Sequence, residues 1–324
     1  MNKDLENRIK DLENDNELLF KTVNELENKL ESIINDNKER DNKINKLEKN
    51  NDISLIDDNI DLVNFNVVNK PINSKYTLIR RIEPVKVDEQ FILKFNKKLS
   101  LPPKIDLRLK CPIIYDQGNL GSCTANALLC LYQYDAPKFI GSRLFLYYNE
   151  RLIDGTVNED AGSYLETGIY AMKKYGVCKE ILWPYNISKF NVKPNGFCYT
   201  EALTHQVIEA YQVQPNAYDM KACLNTGEPF VFGFAVFSNF ESISVAKTGF
   251  VTVPTKNDQF LGGHAVVCVG YDDNLLYNGI KGYWICRNSW GALWGDRGYF
   301  YLPYKYLEIP NIFSDLWKIT KVEL

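Results

Sequence analysis

Apolar residues in the first 50 positions recur at alternating spacings of four and three, which is the heptad pattern of a coiled coil. The seam consists of Leu5, Ile9, Leu12, Asn16, Leu19, Val23, Leu26, Leu30, Ile33, Asn37, Arg40, Ile44 and Leu47. Asn16 and Asn37 fall at a positions, where asparagine costs stability but fixes the register, most often of parallel dimers. We therefore predict that residues 1–50 form an α-helical coiled coil that makes the protein a parallel homodimer. A single solvated amphipathic helix is the alternative.

The heptad pattern ends near Asn50, and residues 51–100 are mostly polar, with short apolar patches at 76–79 and 91–95. We interpret residues 51–100 as a linker or a propeptide-like segment. Because the patches precede the apparent start of a domain at Leu101, one hypothesis is that they occupy an apolar cleft and keep that domain latent. The other hypothesis is that the segment is only a spacer.

Residues 101–324 are aromatic and punctuated by glycine, which predicts one compact globular domain. Residues 124–134 lack Gly and Pro and predict a buried helix. Three apolar runs, 230–237, 265–270 and 283–286, predict strands. Since the helix-forming segment comes first and the strand-forming segments follow, the expected fold class is α+β.

The formal net charge is only -3, from 38 basic and 41 acidic residues. Such a balance produces no global field to recruit nucleic acid or an anionic membrane, so neither partner is expected. The first ten residues lack the apolar core of a secretory signal. No stretch approaches the roughly 20 apolar residues that a membrane-spanning helix needs. We therefore expect a soluble, non-secreted protein.

The eight cysteines form no C-x-x-C pair of the kind that binds metals or exchanges electrons. In a reducing compartment most of them would be buried thiols, and no metal ion or cofactor is expected.

Cys123 differs from the other cysteines because it stands where a glycine-bearing loop, starting near Gln117, turns into an apolar helix. A thiol at a helix N-terminus feels the positive end of the helix dipole, which lowers its pKa and favours the nucleophilic thiolate. The backbone N–H at that turn and the Gln117 amide can both point at a developing oxyanion. A buried structural thiol beside a loop glutamine is the alternative.

A thiol nucleophile needs a base, and the chain contains only two histidines. His264 lies at the mouth of the predicted strand 265–270, after two glycines that let a substrate backbone approach. His205 lies in a polar stretch that predicts a surface turn or helix end, and we interpret it as structural. Asn288 can accept a hydrogen bond from the second imidazole nitrogen and so orient the ring, with Trp290 screening the pair from water.

Three motifs occur in a fixed order: Gln-Gly-x-x-Gly-Ser-Cys at 117–123, Gly-His-Ala-Val at 263–266, and Asn-Ser-Trp-Gly-x-x-Trp-Gly-x-x-Gly-Tyr at 288–299. Together they resemble the three signatures of the papain family of cysteine peptidases. The resemblance covers residues 102–307. It implies a two-lobe α+β fold, with a cleft between a helical lobe and a β-rich, barrel-like lobe.

The resemblance also implies a role for each motif residue in cysteine endopeptidase chemistry through a thioester acyl-enzyme. Cys123 would attack the peptide carbonyl, His264 would accept and return the proton, and Asn288 would orient the histidine. Gln117, with the Cys123 N–H, would form the oxyanion hole. Protein or peptide substrates are the implied partners.

The stretch that starts at Asp160 looks like the family's glycine-bearing edge, on which an extended substrate adds as a short strand. Gly162 and Ser163 are the candidate binding residues there, and Gly263 and Trp290 are the candidates beside the histidine. An ordinary loop is the alternative at this position.

The chain departs from the family pattern at several points. Leu120 stands where many members have a disulfide cysteine, and Thr124 replaces the usual Trp, so the familiar disulfides are not expected. The helical spacing of long papain propeptides is missing, and so is the histidine-rich insertion that makes cathepsin B a carboxydipeptidase. The same site also supports isopeptide cleavage or acyl transfer. A different class, a coiled-coil interaction protein with an inert peptidase-like domain, is disfavoured by the intact Cys, His, Asn and Gln.

Overall fold

The computed structural model of the chain describes residues 76–79, 92–95 and 100–323. The coiled coil predicted for residues 1–50 lies outside the described residues. The α-helices of the described ranges are α1 (Cys123–Asp135), α2 (Arg143–Asp154), α3 (Leu165–Lys174), α4 (Gly196–Ala202), α5 (Ala217–Asn225) and α6 (Ile243–Thr248). The strands are β1 (Lys104–Asp106), β2 (Val207–Gln212), β3 (Phe230–Phe237), β4 (Phe260–Tyr277), β5 (Ile280–Arg287), β6 (Tyr299–Pro303) and β7 (Phe313–Val322). The predicted α+β class is confirmed.

The strands form one antiparallel sheet in the order β2-β7-β3-β4-β5-β6, and β1 pairs with β4 beside this path. Strand β3 has the predicted bounds, whereas β4 is much longer than predicted. It starts before the glycines because Gly262 and Gly263 pair with Val236 and Ala235 and so continue the ladder with β3. The central position of β4 places His264 inside the sheet rather than at its rim.

Both faces of the central strands are covered, which explains why β3 and β4 read as continuous apolar runs. Along β4, Ala265 and Val267 pack into one core with helix α1, while Val266 and Cys268 pack into a second core on the opposite face. The second core is dominated by the aromatic side chains of β3. The alternation follows the two-residue period of a strand.

Helix α1 begins at Cys123, and its side chains are buried on nearly every side. A helix that is apolar all round belongs in a core. It packs against β4, so the start of α1 and the histidine-bearing strand are brought together by the fold. The prediction of a buried helix at 124–134 is confirmed within one residue at each end.

Residues 92–95 pack against the edge of the sheet. Ile92 forms a parallel bridge with Gln212, and the Leu93 N–H donates to the Gln212 carbonyl at 3.0 Å. This patch therefore covers the open edge of β2 and does not lie on the predicted catalytic residues, in contrast to the hypothesis that both patches occupy the cleft.

Across residues 76–79, 92–95 and 100–323, no helix combines the length and apolarity needed to cross a bilayer.

Candidate active site

Cys123, the first residue of α1, is completely buried, and its thiol interacts with the backbone N–H of Ala265. Ala265 follows His264 on β4, so the thiol lies against the histidine-bearing stretch of the strand. Burial raises the pKa of Cys123 to about 12, although the N–H groups of Ala265 and Thr124 oppose this rise. The expectation of a lowered pKa at the helix N-terminus is therefore wrong for this covered state, because desolvation outweighs the hydrogen bonds.

The His264 side chain is fixed by Asn288, which lies just after β5. The distance from His264 Nε2 to Asn288 Oδ1 is 2.8 Å, and both side chains are buried. The Ser289 N–H also donates to Asn288 Oδ1 at 2.8 Å, which identifies this atom as the amide oxygen. In the neutral ring, Nε2 therefore carries the proton and Nδ1 carries the lone pair of a base. Trp290 lies over the pair, with its ring 5.2 Å from the imidazole at 31°.

Gln117 is buried and is held by the loop that carries Asn288. The Gln117 N–H donates to the Ser289 carbonyl at 2.9 Å, and the Ser289 hydroxyl donates to Gln117 Oε1 at 2.6 Å. Gln117 Nε2 donates to the Leu120 carbonyl at 3.0 Å. Ser289 thus couples the loop before Cys123 to the end of β5. Ser289 belongs to the third sequence motif, but the sequence alone indicated no role for it.

A second contact that sequence reasoning missed involves Thr124, the residue that follows Cys123 in α1. The Thr124 hydroxyl donates to Glu150 Oε2 at 2.7 Å, and both side chains are fully buried. Burial raises the pKa of Glu150 well above its ordinary value, and the hydrogen bond from Thr124 opposes this rise. The Glu150 carboxyl is also one of the groups that raise the pKa of Cys123, after burial of the thiol itself.

His205 lies apart from this group of residues. Its Nε2 is 3.1 Å from Glu201 Oε1, and its ring packs 4.2 Å from that of Phe139. These contacts fit the structural interpretation of His205.

Residues 76–79 lie across the predicted substrate-binding positions. The Leu78 N–H donates to the Gly263 carbonyl and the Ile79 N–H donates to the Ser163 carbonyl, each at 3.1 Å. Thr77 forms a parallel bridge with Gly263, and its hydroxyl donates to a backbone carbonyl of the cysteine loop at 2.8 Å. The segment is therefore hydrogen-bonded to the loop before α1, to the glycine-bearing edge at Ser163 and to β4.

Two glycines allow this close approach. A Cβ atom on Gly162, whose φ is +71°, would lie 1.7 Å from the Thr77 carbonyl oxygen. A Cβ atom on Gly121 would lie 2.0 Å from Thr77 Oγ1. Any side chain at either position would displace the segment, so the glycine-bearing edge is shaped to receive an extended backbone.

Tyr76 completes the cover over the histidine. Its ring packs edge-on against His264 at 6.0 Å and against Trp290 at 5.7 Å, and its hydroxyl donates to Glu241 Oε1 at 2.7 Å. The side chain is only 1% exposed. Tyr76 belonged to a patch that the sequence indicated, but no local signal pointed to Glu241 as its partner.

Comparisons with known proteins show the family of this chain. The family model described as papain family cysteine protease matches residues 101–310. An uncharacterized peptidase C1-like protein, L477, of Acanthamoeba polyphaga mimivirus is 39% identical over 261 residues, covering 76% of this chain and 79% of the relative. Ananain of Ananas comosus is 25% identical over 222 residues, 67% of this chain and 60% of ananain.

Among solved structures, xylellain, a cysteine protease from Xylella fastidiosa, superposes with a TM-score of 0.68 at 38% identity. The match covers 79% of this chain and 99% of xylellain. The family model covers residues 101–310, and the matches to L477 and to xylellain cover 76% and 79% of this chain. The chain therefore belongs to the papain family of cysteine proteases and is a cysteine-type peptidase.

Proposed function

We propose that the protein is a cysteine endopeptidase and that Cys123, His264, Asn288 and Gln117 carry the reaction. The observation that carries this proposal is that the Cys123 thiol, at the start of α1, lies against the N–H of Ala265, next in sequence to a histidine that Asn288 holds at 2.8 Å. An oriented imidazole beside a thiol is the arrangement that activates a sulfur nucleophile.

In the first half of the reaction, His264 Nδ1 takes the thiol proton, and Cys123 Sγ attacks the peptide carbonyl carbon. The oxyanion that forms is stabilised by the Cys123 N–H and by the Gln117 amide. His264 then gives its proton to the leaving amine as the C–N bond breaks, which leaves a thioester. In the second half, His264 takes a proton from water, the hydroxide attacks the thioester, and the proton returns to sulfur as the acid product leaves.

Gly162, Ser163, Gly263 and Trp290 are the proposed substrate-binding residues. The Ser163 and Gly263 carbonyls accept hydrogen bonds from a peptide backbone here, which supports their use as acceptors for a substrate strand. Trp290 shields the histidine and asparagine from water. Two rival activities use the same site: attack on an isopeptide carbonyl, with a lysine amine as the leaving group, gives isopeptide cleavage, and resolution of the thioester by an amine instead of water gives acyl transfer.

A linear, internally quenched peptide blocked at both ends should be cleaved by the full-length Leu78→Pro chain, in which residues 76–79 lose a backbone hydrogen bond to the site, because an endopeptidase needs no free terminus. An isopeptide-linked pair of the same sequence serves as the matched control and should stay intact. Product masses from both incubations identify the broken bond. Cleavage of the isopeptide alone would show that the protein is an isopeptidase. Cleavage of neither peptide would favour the hypothesis of an interaction protein with an inert peptidase-like domain.

We further propose that residues 76–79 keep the peptidase latent. They occupy the Ser163 and Gly263 acceptors and cover His264, so a substrate cannot use these groups at the same time. Residues 92–95, further along the same stretch of chain, are held at the sheet edge by the bridge between Ile92 and Gln212. A tethered segment competes at an effective concentration near millimolar, so even weak docking excludes dilute substrate.

The heptad seam supports the further proposal that residues 1–50 join two chains as a parallel dimer. Light scattering of the full-length protein at micromolar concentration should give twice the chain mass of 37.4 kDa. The double substitution Asn16→Ile and Asn37→Ile should raise the melting temperature and mix the oligomeric states, because the polar a residues fix register at a cost in stability. A monomeric mass for the unsubstituted protein would refute the dimer.

A further inference from the structure

Tyr76 occupies a defined subsite rather than a general apolar surface. Its ring meets the imidazole of His264 at 88° and the indole of Trp290 at 67°, both edge-on geometries that aromatic pairs favour. Its hydroxyl reaches past these rings to Glu241 Oε1. Burial and the Glu241 carboxylate raise the pKa of Tyr76, so the phenol remains protonated and donates the hydrogen bond.

The subsite lies on the side of the leaving group. Along the bound segment, Ile79 contacts Ser163, Leu78 contacts Gly263, and Tyr76 contacts His264 and the residues beyond it. His264 must hand its proton to the leaving amine, so the residue that carries this amine lies beside the imidazole. Tyr76 therefore marks the place of the first substrate residue after the scissile bond.

Glu241 lies where it can accept a hydrogen bond from the side chain of the first residue after the scissile bond, as it does from Tyr76. It ends a 3-10 turn, Ser238–Glu241, that follows β3, and this turn is fixed because Phe240 packs against Trp290 at 5.4 Å. Glu241 itself is exposed, so its charge is in contact with solvent. An ionised carboxylate only accepts hydrogen bonds, and it therefore favours a side chain with a donor at its tip.

We propose that Glu241 determines specificity for the first residue after the scissile bond, favouring tyrosine, arginine or lysine and disfavouring acidic residues. This inference rests on the proposed endopeptidase function. A long side chain would lie along Trp290 and end in a donor at Glu241, as Tyr76 does, and a cation would also gain from the indole face. Because the carboxylate is exposed, the preference is modest, on the order of 3- to 10-fold, and it weakens as salt screens the charge.

The test uses the full-length chain with Leu78→Pro, which removes a backbone donor of the covering segment. Four quenched peptides differ only in the residue after the scissile bond, which is Tyr, Phe, Arg or Glu. Each is assayed for kcat/KM with Glu241 intact, with Glu241→Gln and with Glu241→Leu. Glu209→Gln is the matched control, because Glu209 is an exposed glutamate whose hydrogen bonds go to Tyr211 and Thr320.

With Glu241 intact, Tyr should exceed Phe and Arg should exceed Glu, each by about 3- to 10-fold at low salt. Gln keeps an acceptor but no charge, so Glu241→Gln should abolish the Arg preference and retain part of the Tyr preference. Glu241→Leu should bring both ratios to about one, and Glu209→Gln should change neither. Ratios within one variant cancel any loss of folded enzyme.

Equal ratios with Glu241 intact, or ratios that Glu241→Leu leaves in place, would overturn the specificity inference while peptide cleavage still supports the endopeptidase. If no peptide is cleaved, the proposed function itself fails, and the inference fails with it. The two failures are thus distinguishable.

Discussion

Replacing Cys123 by alanine is expected to lower kcat/KM for peptide hydrolysis by on the order of 10⁴-fold or more, with the fold retained. His264→Ala should have nearly the same effect, because nucleophile and base act as one unit and losing either removes the thioester route. The double variant should then be hardly worse than either single one. Initial rates on a quenched peptide, with circular dichroism as the check on folding, measure these effects.

The controls come from the same chain. Cys130 lies on the same helix and is equally buried, so Cys130→Ala removes a similar volume without removing the nucleophile. His205→Ala removes the other histidine, which contacts Glu201 and Phe139. Both variants should keep most of the activity. If His205→Ala were inactive and His264→Ala were active, His264 would not be the general base.

Releasing residues 76–79 from the site is expected to have the second large effect, an increase in the rate of peptide hydrolysis. In the full-length chain, Leu78→Pro removes the N–H that donates to Gly263 and should raise the initial rate by about 10-fold or more, because tethered competition at near-millimolar concentration is lost. Leu78→Ala keeps the N–H and loses only side-chain packing, so it should fall between the wild type and Leu78→Pro. Intact masses taken during the assay show whether any chain has been cut.

A wild-type chain that turns over at once, at the rate of Leu78→Pro and at full mass, would support the spacer interpretation of residues 51–100. A wild-type rate that rises only as its mass falls would instead indicate release by cutting.

Much of the local structure around the candidate site was predictable, because the sequence signals for it are local and because the chain has few histidines. The bounds of β3 followed from one uninterrupted apolar run, and α1 followed from a stretch without Gly or Pro. With two histidines in the chain, the choice of His264 needed only its setting at a glycine-bearing strand.

The contacts that were not predictable join residues far apart in the chain. Thr124 meets Glu150 only because α1 packs against α2, and Tyr76 meets Glu241 across 165 positions. No periodicity or motif encodes such pairs. The apolar patch at 76–79 indicated a covering role, but the similar patch near residue 92 packs on the sheet edge, because apolarity alone does not say which surface a segment covers.

The pKa of Cys123 shows how local reasoning can give the wrong direction. The helix N-terminus and backbone N–H groups favour the thiolate, yet burial raises the pKa to about 12. The buried thiol is therefore protonated at neutral pH, and residues 76–79 add cover beside it by packing on His264 and on the loop before Cys123. Removing the cover admits water and leaves the favourable N–H contacts in place, so the thiolate should become accessible.

The rate at which an epoxide-type cysteine-peptidase inhibitor alkylates Cys123 tests this account most directly. Full-length wild-type and Leu78→Pro proteins would be treated at pH 7.5 and mapped by mass spectrometry over time. We expect one adduct, on Cys123, that forms at least about 10-fold faster in Leu78→Pro, while the other seven cysteines are spared. Labelling spread over several cysteines would contradict the assignment of the nucleophile, and equal rates in the two proteins would contradict the covering role of residues 76–79.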